Sequence, residues 1–230
     1  MDGVERVILF AKAPRSGGVK TRLAPPMTLD EASSLHEAML RDQLAFVASL
    51  VQPGRTAEIC LDGPWTCEPD GIPASIKRTV QTDGELGHRM EAAFTRGHAA
   101  GVKRIAIVGS DAPTLPASLV EDAFARLRAG ADAVVTPADD GGYVLIATTG
   151  RCPALFRDIP WGTGEVLTVT RRRAADSGIA FEETEPWHDV DTASDLATLL
   201  DDVERHPGRA PATARVLDTL RLYLPQEPVV

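Results

Sequence analysis

The stretch Ile105-Ala106-Ile107-Val108-Gly109-Ser110-Asp111-Ala112-Pro113 has the makings of a reactive corner. A short branched apolar run reads as a buried strand. It stops at Gly-Ser-Asp, and Pro113 prevents its continuation. A carboxylate therefore stands at the carboxyl end of a central strand, where open α/β sheets bind ligands. Asp111 can hold Mg²⁺ if a second carboxylate and a polyphosphate face it. The plainer alternative is a strand-to-helix turn capped by Asp111.

Five other stretches carry candidate chemistry. The loop Lys12–Leu23 holds Lys12, Arg15, Lys20 and Arg22 within eleven residues, together with Gly17 and Gly18. Cations and exposed backbone N–H groups after a strand suit phosphate. The spacing matches neither Gly-x-x-x-x-Gly-Lys-Ser/Thr nor Gly-x-Gly-x-x-Gly, and a solvated basic loop is the alternative. In Asp189-Val190-Asp191-Thr192 the carboxylates precede a helix, a common stabilising arrangement. Thr192 as N-cap with Asp195 accounts for the capping and leaves Asp189 and Asp191 unexplained. Asp139-Asp140-Gly141-Gly142-Tyr143 reads as a hairpin turn or as a floor against which a substrate lies. In Gly84–Met90, Arg89 enters a helix and can reach a phosphate, a base or a surface carboxylate. Trp161-Gly162-Thr163 offers a stacking platform or a core aromatic.

Other chemistries lack their residues. His36 and His98 are expected on exposed helix surfaces, and His88 and His188 lie near candidate loops without forming a metal pattern. Cys60, Cys67 and Cys152 include no Cys-x-x-Cys pair, so neither a disulfide framework nor a zinc site is indicated. No Gly-x-Ser-x-Gly elbow is present. Acidic residues outnumber basic ones 33 to 24, which argues against a nucleic-acid partner. No apolar run approaches a membrane span, and the acidic start does not read as a signal peptide. The expected location is the cytoplasm.

The elements that must position these residues alternate along the chain. Strands are expected at Val7–Ala11, Ala57–Leu61, Ile76–Val80, Ile105–Val108, Ala133–Pro137, Tyr143–Ala147 (antiparallel) and Ile179–Glu183. A long helix follows the Thr28–Glu31 capping box, with Leu35, Met39, Leu44 and Val47 on one face. Further helices carry Met90–Gly97, Leu119–Leu127 and Leu196–Val203, and another reaches about Ser177. The 230 residues suit one α/β domain with a mainly parallel sheet. Residues 1–206 form the expected domain. Residues 207–230 are a tail in which Ala214–Leu224 can dock as a helix. A homodimer is left open.

Phe10-Ala11-Lys12-Ala13-Pro14, Lys20-Thr21-Arg22-Leu23, Gly87-His88-Arg89-Met90, Gly109-Ser110-Asp111-Ala112-Pro113, Asp140-Gly141-Gly142-Tyr143, Trp161-Gly162-Thr163 and Asp189-Val190-Asp191-Thr192 occur together in this order. Over about residues 6–203 the chain thereby resembles a bacterial family of glycosyltransferase-like proteins of the GT-A superfamily, similar to the guanylyltransferase of coenzyme F420 synthesis. The resemblance implies a Rossmann-like α/β/α sandwich of the nucleotide-diphospho-sugar transferase type. Lys20-Thr21-Arg22-Leu23 is similar to the guanylyltransferase's triphosphate loop. Asp191-Thr192-Ala193-Ser194-Asp195-Leu196 resembles an element of sugar cytidylyltransferases whose first Asp shares a metal with a mid-sheet Asp. This implies Asp111 and Asp191 as ligands of Mg²⁺ or Mn²⁺. The sequence departs from Asp-x-Asp, since Ser110 and Ala112 flank a single Asp. Family members often carry Cys in place of Ala112 and Ser in place of Gly162.

The expectation is a metal-dependent transferase acting on a nucleotide or nucleotide-sugar and a small-molecule acceptor. Lys12, Ala13, Arg15, Gly18, Lys20, Arg22, Arg89 and Ser110 form the expected phosphate and nucleotide set. Lys20 and Arg22 stabilise the leaving group, and Asp140 serves the acceptor as base or orienting group. Gly141, Gly142, Tyr143, Trp161 and Thr163 are the expected substrate contacts. Glycosyl transfer leads; nucleotidyl transfer with pyrophosphate release is the alternative, and a nucleotide-binding module without turnover is the third reading.

Overall fold

A computed structural model describes residues 4–13, 19–63 and 72–220. Arg15 and Gly18 of the expected phosphate set, and Cys67, lie outside the described residues. Seven strands form one sheet: β1 (Glu5–Ala11), β2 (Arg55–Leu61), β3 (Lys77–Val80), β4 (Arg104–Gly109), β5 (Ala133–Pro137), β6 (Tyr143–Thr148) and β7 (Phe181–Glu183). Their order is β3-β2-β1-β4-β6-β5-β7. β6 runs antiparallel to β4 and β5, and every other pairing is parallel. The expected mainly parallel α/β fold is what forms.

Alternation within the strands supplies both faces. Val7 and Leu9 join Val108 and Val134 under α1 (Leu29–Ser49) and α3 (Ala117–Ala129). Ile8 and Phe10 join Ile107 and Ile146 under α2 (Leu86–Ala99) and α4 (Val166–Asp176). The chain leaves β1 toward β2 on one side, while β4 pairs on the other. This reversal opens a crevice at the strands' carboxyl ends. At the amino ends, buried Arg55 bridges Glu5 at 2.9 Å and Glu121, and stacks 4.6 Å from the Phe124 ring centroid.

A third cluster lies beside α1. Leu35 and Met39 pack with Leu196 and Leu199 of α5 (Asp195–Arg205), Leu217 of α6 (Pro211–Leu220), and Leu23 and Val190. The Thr28–Glu31 capping box starts α1: Thr28 N donates to Glu31 Oε2 at 2.7 Å, and Glu31 N donates to Thr28 Oγ1 at 3.2 Å. The start of α5 differs from expectation. Its N-cap is Ser194, not Thr192. Asp195 instead turns back to accept from the backbone N–H groups of Asp191 (2.9 Å) and Thr192 (2.7 Å). Burial alone would raise its pKa, but these bonds hold it below the ordinary value.

Asp42, buried on α1, accepts from the N–H groups of Ala212 (2.9 Å) and Thr213 (2.7 Å) and so caps α6 across the fold. Asp42→Ala is expected to cost about 1–2 kcal/mol. Urea unfolding at pH 7 checks this, and an unchanged midpoint would show that α6 docks without its cap.

Candidate active site at the carboxyl edge of the sheet

Three distant segments meet at the β1–β4 crevice. Val190 N donates to the carbonyl of Asp111 at 2.8 Å, docking the 189–191 segment on the end of β4. Lys20 Nζ donates to the carbonyl of Val190 at 2.5 Å. The same ammonium lies 2.7 Å from Asp111 Oδ1 and 3.5 Å from Asp191 Oδ1. Arg22 holds Asp191 Oδ2 at 2.6 Å. The Lys20 side chain is 4% exposed, whereas those of Asp111 and Asp191 are 43% and 44% exposed and accessible from the crevice. Lys20 adopts a left-handed backbone, φ 53°, which costs a non-glycine residue about 1–3 kcal/mol. The electrostatic partners of its side chain, with Leu23 anchored in the third cluster, hold that conformation.

The crevice widens into a cleft of about 570 Å³. On the β1–β2–β3 side, Asp62 accepts the N–H of Ala13 at 2.7 Å. That N–H, expected to bind phosphate, is thus already engaged. Gln81 donates to the ends of β1 and β2 at Ala11 (3.2 Å) and Cys60 (3.0 Å). Arg89 lines the cleft with its Nε on the Gly84 carbonyl at 2.6 Å. Lys12 and Ser110 also line it.

On the β4–β6–β5 side stand Asp140, Gly142, Tyr143, Trp161 and Thr163. Trp161 meets Tyr143 edge-on, with centroids 6.2 Å apart at 86°. Thr163 donates to the Pro160 carbonyl at 2.8 Å. Asp140 Oδ1 accepts from Gly142 N at 2.8 Å, so part of its role is to shape the turn. The motif glycines act through close approach. A Cβ on Gly141 (φ +85°) would come within 2.2 Å of the Gly164 carbonyl oxygen, and one on Gly87 within 2.5 Å of Trp161 Nε1. These contacts seat the 161–166 segment against the hairpin and α2.

Asp189 was conspicuous in the sequence without an assigned role. It faces the cleft, and its pKa is raised to about 6, first by burial and then by the charges of Asp140 and Asp111. Asp62, Gln81 and Glu85 also line the cleft. Asp62 follows a strand end as Asp111 does, so the same reasoning could have found it. The histidines differ from expectation. His36 is buried, its pKa lowered by burial with Lys20 and Lys12 adding to the effect against Asp111. His98 is partly buried, bridging the Val102 carbonyl (2.9 Å) and Thr148 Oγ1 (3.1 Å). His188 binds Asp202 at 2.6 Å.

Asp111 and Asp191 thus share one cation, the Lys20 ammonium. Among the described residues, no three His, Cys, Asp or Glu side chains converge as a preformed metal cage. Mg²⁺ commonly uses one or two carboxylates, with waters and substrate phosphates completing its shell, and this oxygen donor pair fits it. Asp189 predicts a pH effect in the metal-free protein. Because its folded pKa lies above the ordinary value, the stability contributed by its proton is full below about pH 4 and lost as pH rises through about 6. Asp189→Asn should therefore stabilise the protein in EDTA at pH 7.5 by up to about 2 kcal/mol, allowing for screening, and by less at pH 4.5. Urea unfolding at both values checks this; an equal gain at each would refute the assignment.

A sequence profile of the bacterial family described as "Uncharacterized protein conserved in bacteria (DUF2064)" matches residues 47–163. No curated protein sequence matches the chain. Among solved structures, a Desulfovibrio desulfuricans G20 protein classed as a nucleotide-diphospho-sugar transferase superposes with a TM-score of 0.85, at 28% identity over 96% of each chain. Glucosyl-3-phosphoglycerate synthase from Mycobacterium tuberculosis, in complex with Mn²⁺, UDP and glucosyl-3-phosphoglycerate, gives 0.52 at 12% identity, over 98% of this chain and 82% of that one. A cytidylyltransferase from Leptospira borgpetersenii gives 0.51 at 10% identity, over 96% and 94%. The last two are similarities of fold. No helix among the described residues is long and apolar enough to cross a membrane.

Proposed function

This chain belongs to the DUF2064 family, and we propose that it is a nucleotide-dependent transferase that moves a glycosyl group from a nucleotide-sugar to a hydroxyl acceptor. The observation that carries this reading is the shared cation position of Asp111 and Asp191 at the sheet's switch point. Similarity to the Desulfovibrio protein over nearly all of both chains supports a nucleotide-sugar as donor.

Mg²⁺ or Mn²⁺ held by Asp111 and Asp191 would offset the charge of the donor's diphosphate. Lys12 and Arg89 bind the nucleotide along the β1–β2–β3 side, and Ser110 offers a hydroxyl at the strand end. The acceptor hydroxyl attacks the anomeric carbon. The bond from that carbon to the diphosphate oxygen breaks, and the electron pair leaves with the nucleoside diphosphate. Lys20 and Arg22 stabilise the departing oxygen. Asp140, fixed by its own turn, orients the acceptor. Asp189 takes the hydroxyl proton: with a pKa of about 6 it is ionised at neutral pH and more basic than an ordinary carboxylate. The 161–166 segment and Tyr143 form the acceptor wall.

A second reading has its own observation. Lys20 and Arg22 both reach the carboxylate pair, an arrangement also suited to a triphosphate whose pyrophosphate leaves after attack on the α-phosphorus. Calorimetry with nucleotide-sugars and nucleoside triphosphates, in Mg²⁺ and in EDTA, followed by product analysis, separates the two. Binding should need Mg²⁺, and turnover should release nucleoside diphosphate. Asp111→Asn should weaken Mg²⁺-dependent binding at least about a hundredfold, the loss of a charged metal ligand. Pyrophosphate release would transfer the case to the second reading. Metal-independent binding unaltered by Asp111→Asn, without turnover, would overturn both.

A further inference from the structure

The two sides of the cleft differ in charge and in polarity, and on the donor assignment proposed above this difference specifies the acceptor. The lysine and arginine that line the cleft among the described residues, Lys12 and Arg89, belong to the β1–β2–β3 side, where they offset the carboxylates of Asp62 and Glu85. Arg89 is tied there by the Gly84 carbonyl and by Gln81 Oε1 at 3.4 Å. The opposite side presents carboxylates, Asp140 and Asp189. Nearby arginines are committed elsewhere: Arg157 to Glu91 at 2.8 Å, Arg171 to Glu183 at 2.7 Å and Arg173 to Asp158 at 2.9 Å. An anionic acceptor would meet two carboxylates, and Lys20, whose charge reaches Asp189, is itself held by Asp111 and Asp191, a costly juxtaposition.

The same cleft also has an apolar part. Ile107, Ile146 and Met90 contribute to the cleft lining, with Tyr143 and Trp161 set edge to face beside them. Such a surface favours a ring or hydrocarbon body. The carboxylates at its edge can each accept from a hydroxyl, and Asp140 is already held in place by Gly142 N.

We propose that the acceptor is a hydroxyl compound with an apolar, ring-bearing body and no anionic group, bound between Trp161 and Asp140. Phosphorylated and carboxylated acceptors are rejected by charge, and a cationic substituent is tolerated.

Three matched probes test this without a donor: 4-hydroxybenzyl alcohol, 4-hydroxybenzylamine and 4-hydroxybenzylphosphonate. Their binding to the full-length protein is ranked by saturation-transfer NMR at pH 7.5 in EDTA. The alcohol and the amine should bind, and the phosphonate at least about tenfold more weakly. Trp161→Ala should abolish binding. Asp140→Asn, a near-isosteric change at the surface, should narrow the gap between alcohol and phosphonate severalfold. Phosphonate binding as tight as that of the alcohol, absence of binding by all three, or an unchanged ratio in folded Asp140→Asn would overturn the proposal. Calorimetry of UDP and GDP with Mg²⁺ on the same preparation reports the donor side separately. Its failure counts against the nucleotide-dependent reading and leaves the probe ranking intact.

Discussion

One buried ammonium holds the site together. Lys20 comes from the loop after β1, Asp111 from the end of β4, and Asp191 from the segment before α5, 171 positions further along the chain than Lys20. A lysine amine taken almost wholly out of water is unfavourable without counter-charge. Here it receives two carboxylates and a backbone carbonyl. The carboxylates would repel one another at this separation if the cation were absent. The two ends of the domain are therefore joined by charge at the point where the sheet topology opens a crevice. On the proposed metal-dependent reading, the site contains its own counter-ion, which would pass to a phosphate when a divalent ion takes its place.

The rest of the fold serves that junction. Leu23 and Val190, near Lys20 and Asp191 in sequence, are buried in one apolar cluster with α1, α5 and α6. Asp42 on α1 caps α6, and Gln43, the next residue, donates to the carbonyl of Ala112 beside Asp111. A single helix thus braces both the C-terminal elements and the reactive strand end. On the β4–β6–β5 side, glycines allow close approaches that a side chain would block. Gly141 against Gly164, and Gly87 against Trp161, let the hairpin, α2 and the 161–166 segment close on one another.

Much of this was legible in the sequence because local chemistry determined it. The unbroken apolar run Val7–Ala11 marked a buried parallel strand, and the Thr28–Glu31 pair marked a helix start. Gly-Ser-Asp-Ala-Pro marked a strand end at Asp111. What escaped depended on partners far along the chain. Asp195 reads as an ordinary helix-start acid, yet it turns back to bind Asp191 and Thr192, whose part-buried N–H groups need an acceptor. His36 sits on a helix of mixed polarity and looked exposed; only the tertiary position of α1 beneath Lys12 and Lys20 buries it. Ala13 looked available to a phosphate until β2 brought Asp62 against it. The raised pKa of Asp189 arises first from burial in the folded cleft and then from Asp140 and Asp111, both distant in sequence.

In the proposed site, Asp111 and Asp191 bracket a divalent-cation position that Lys20 fills in the metal-free protein. Anomalous diffraction from crystals grown with Mn²⁺ and a nucleoside diphosphate tests it directly. A Mn²⁺ peak coordinated by both carboxylates is expected, with the Lys20 amine moved from Asp111 to the phosphates. A Mn²⁺ peak away from both residues, or bound nucleotide with Lys20 still bridging Asp111 and Asp191, would contradict it.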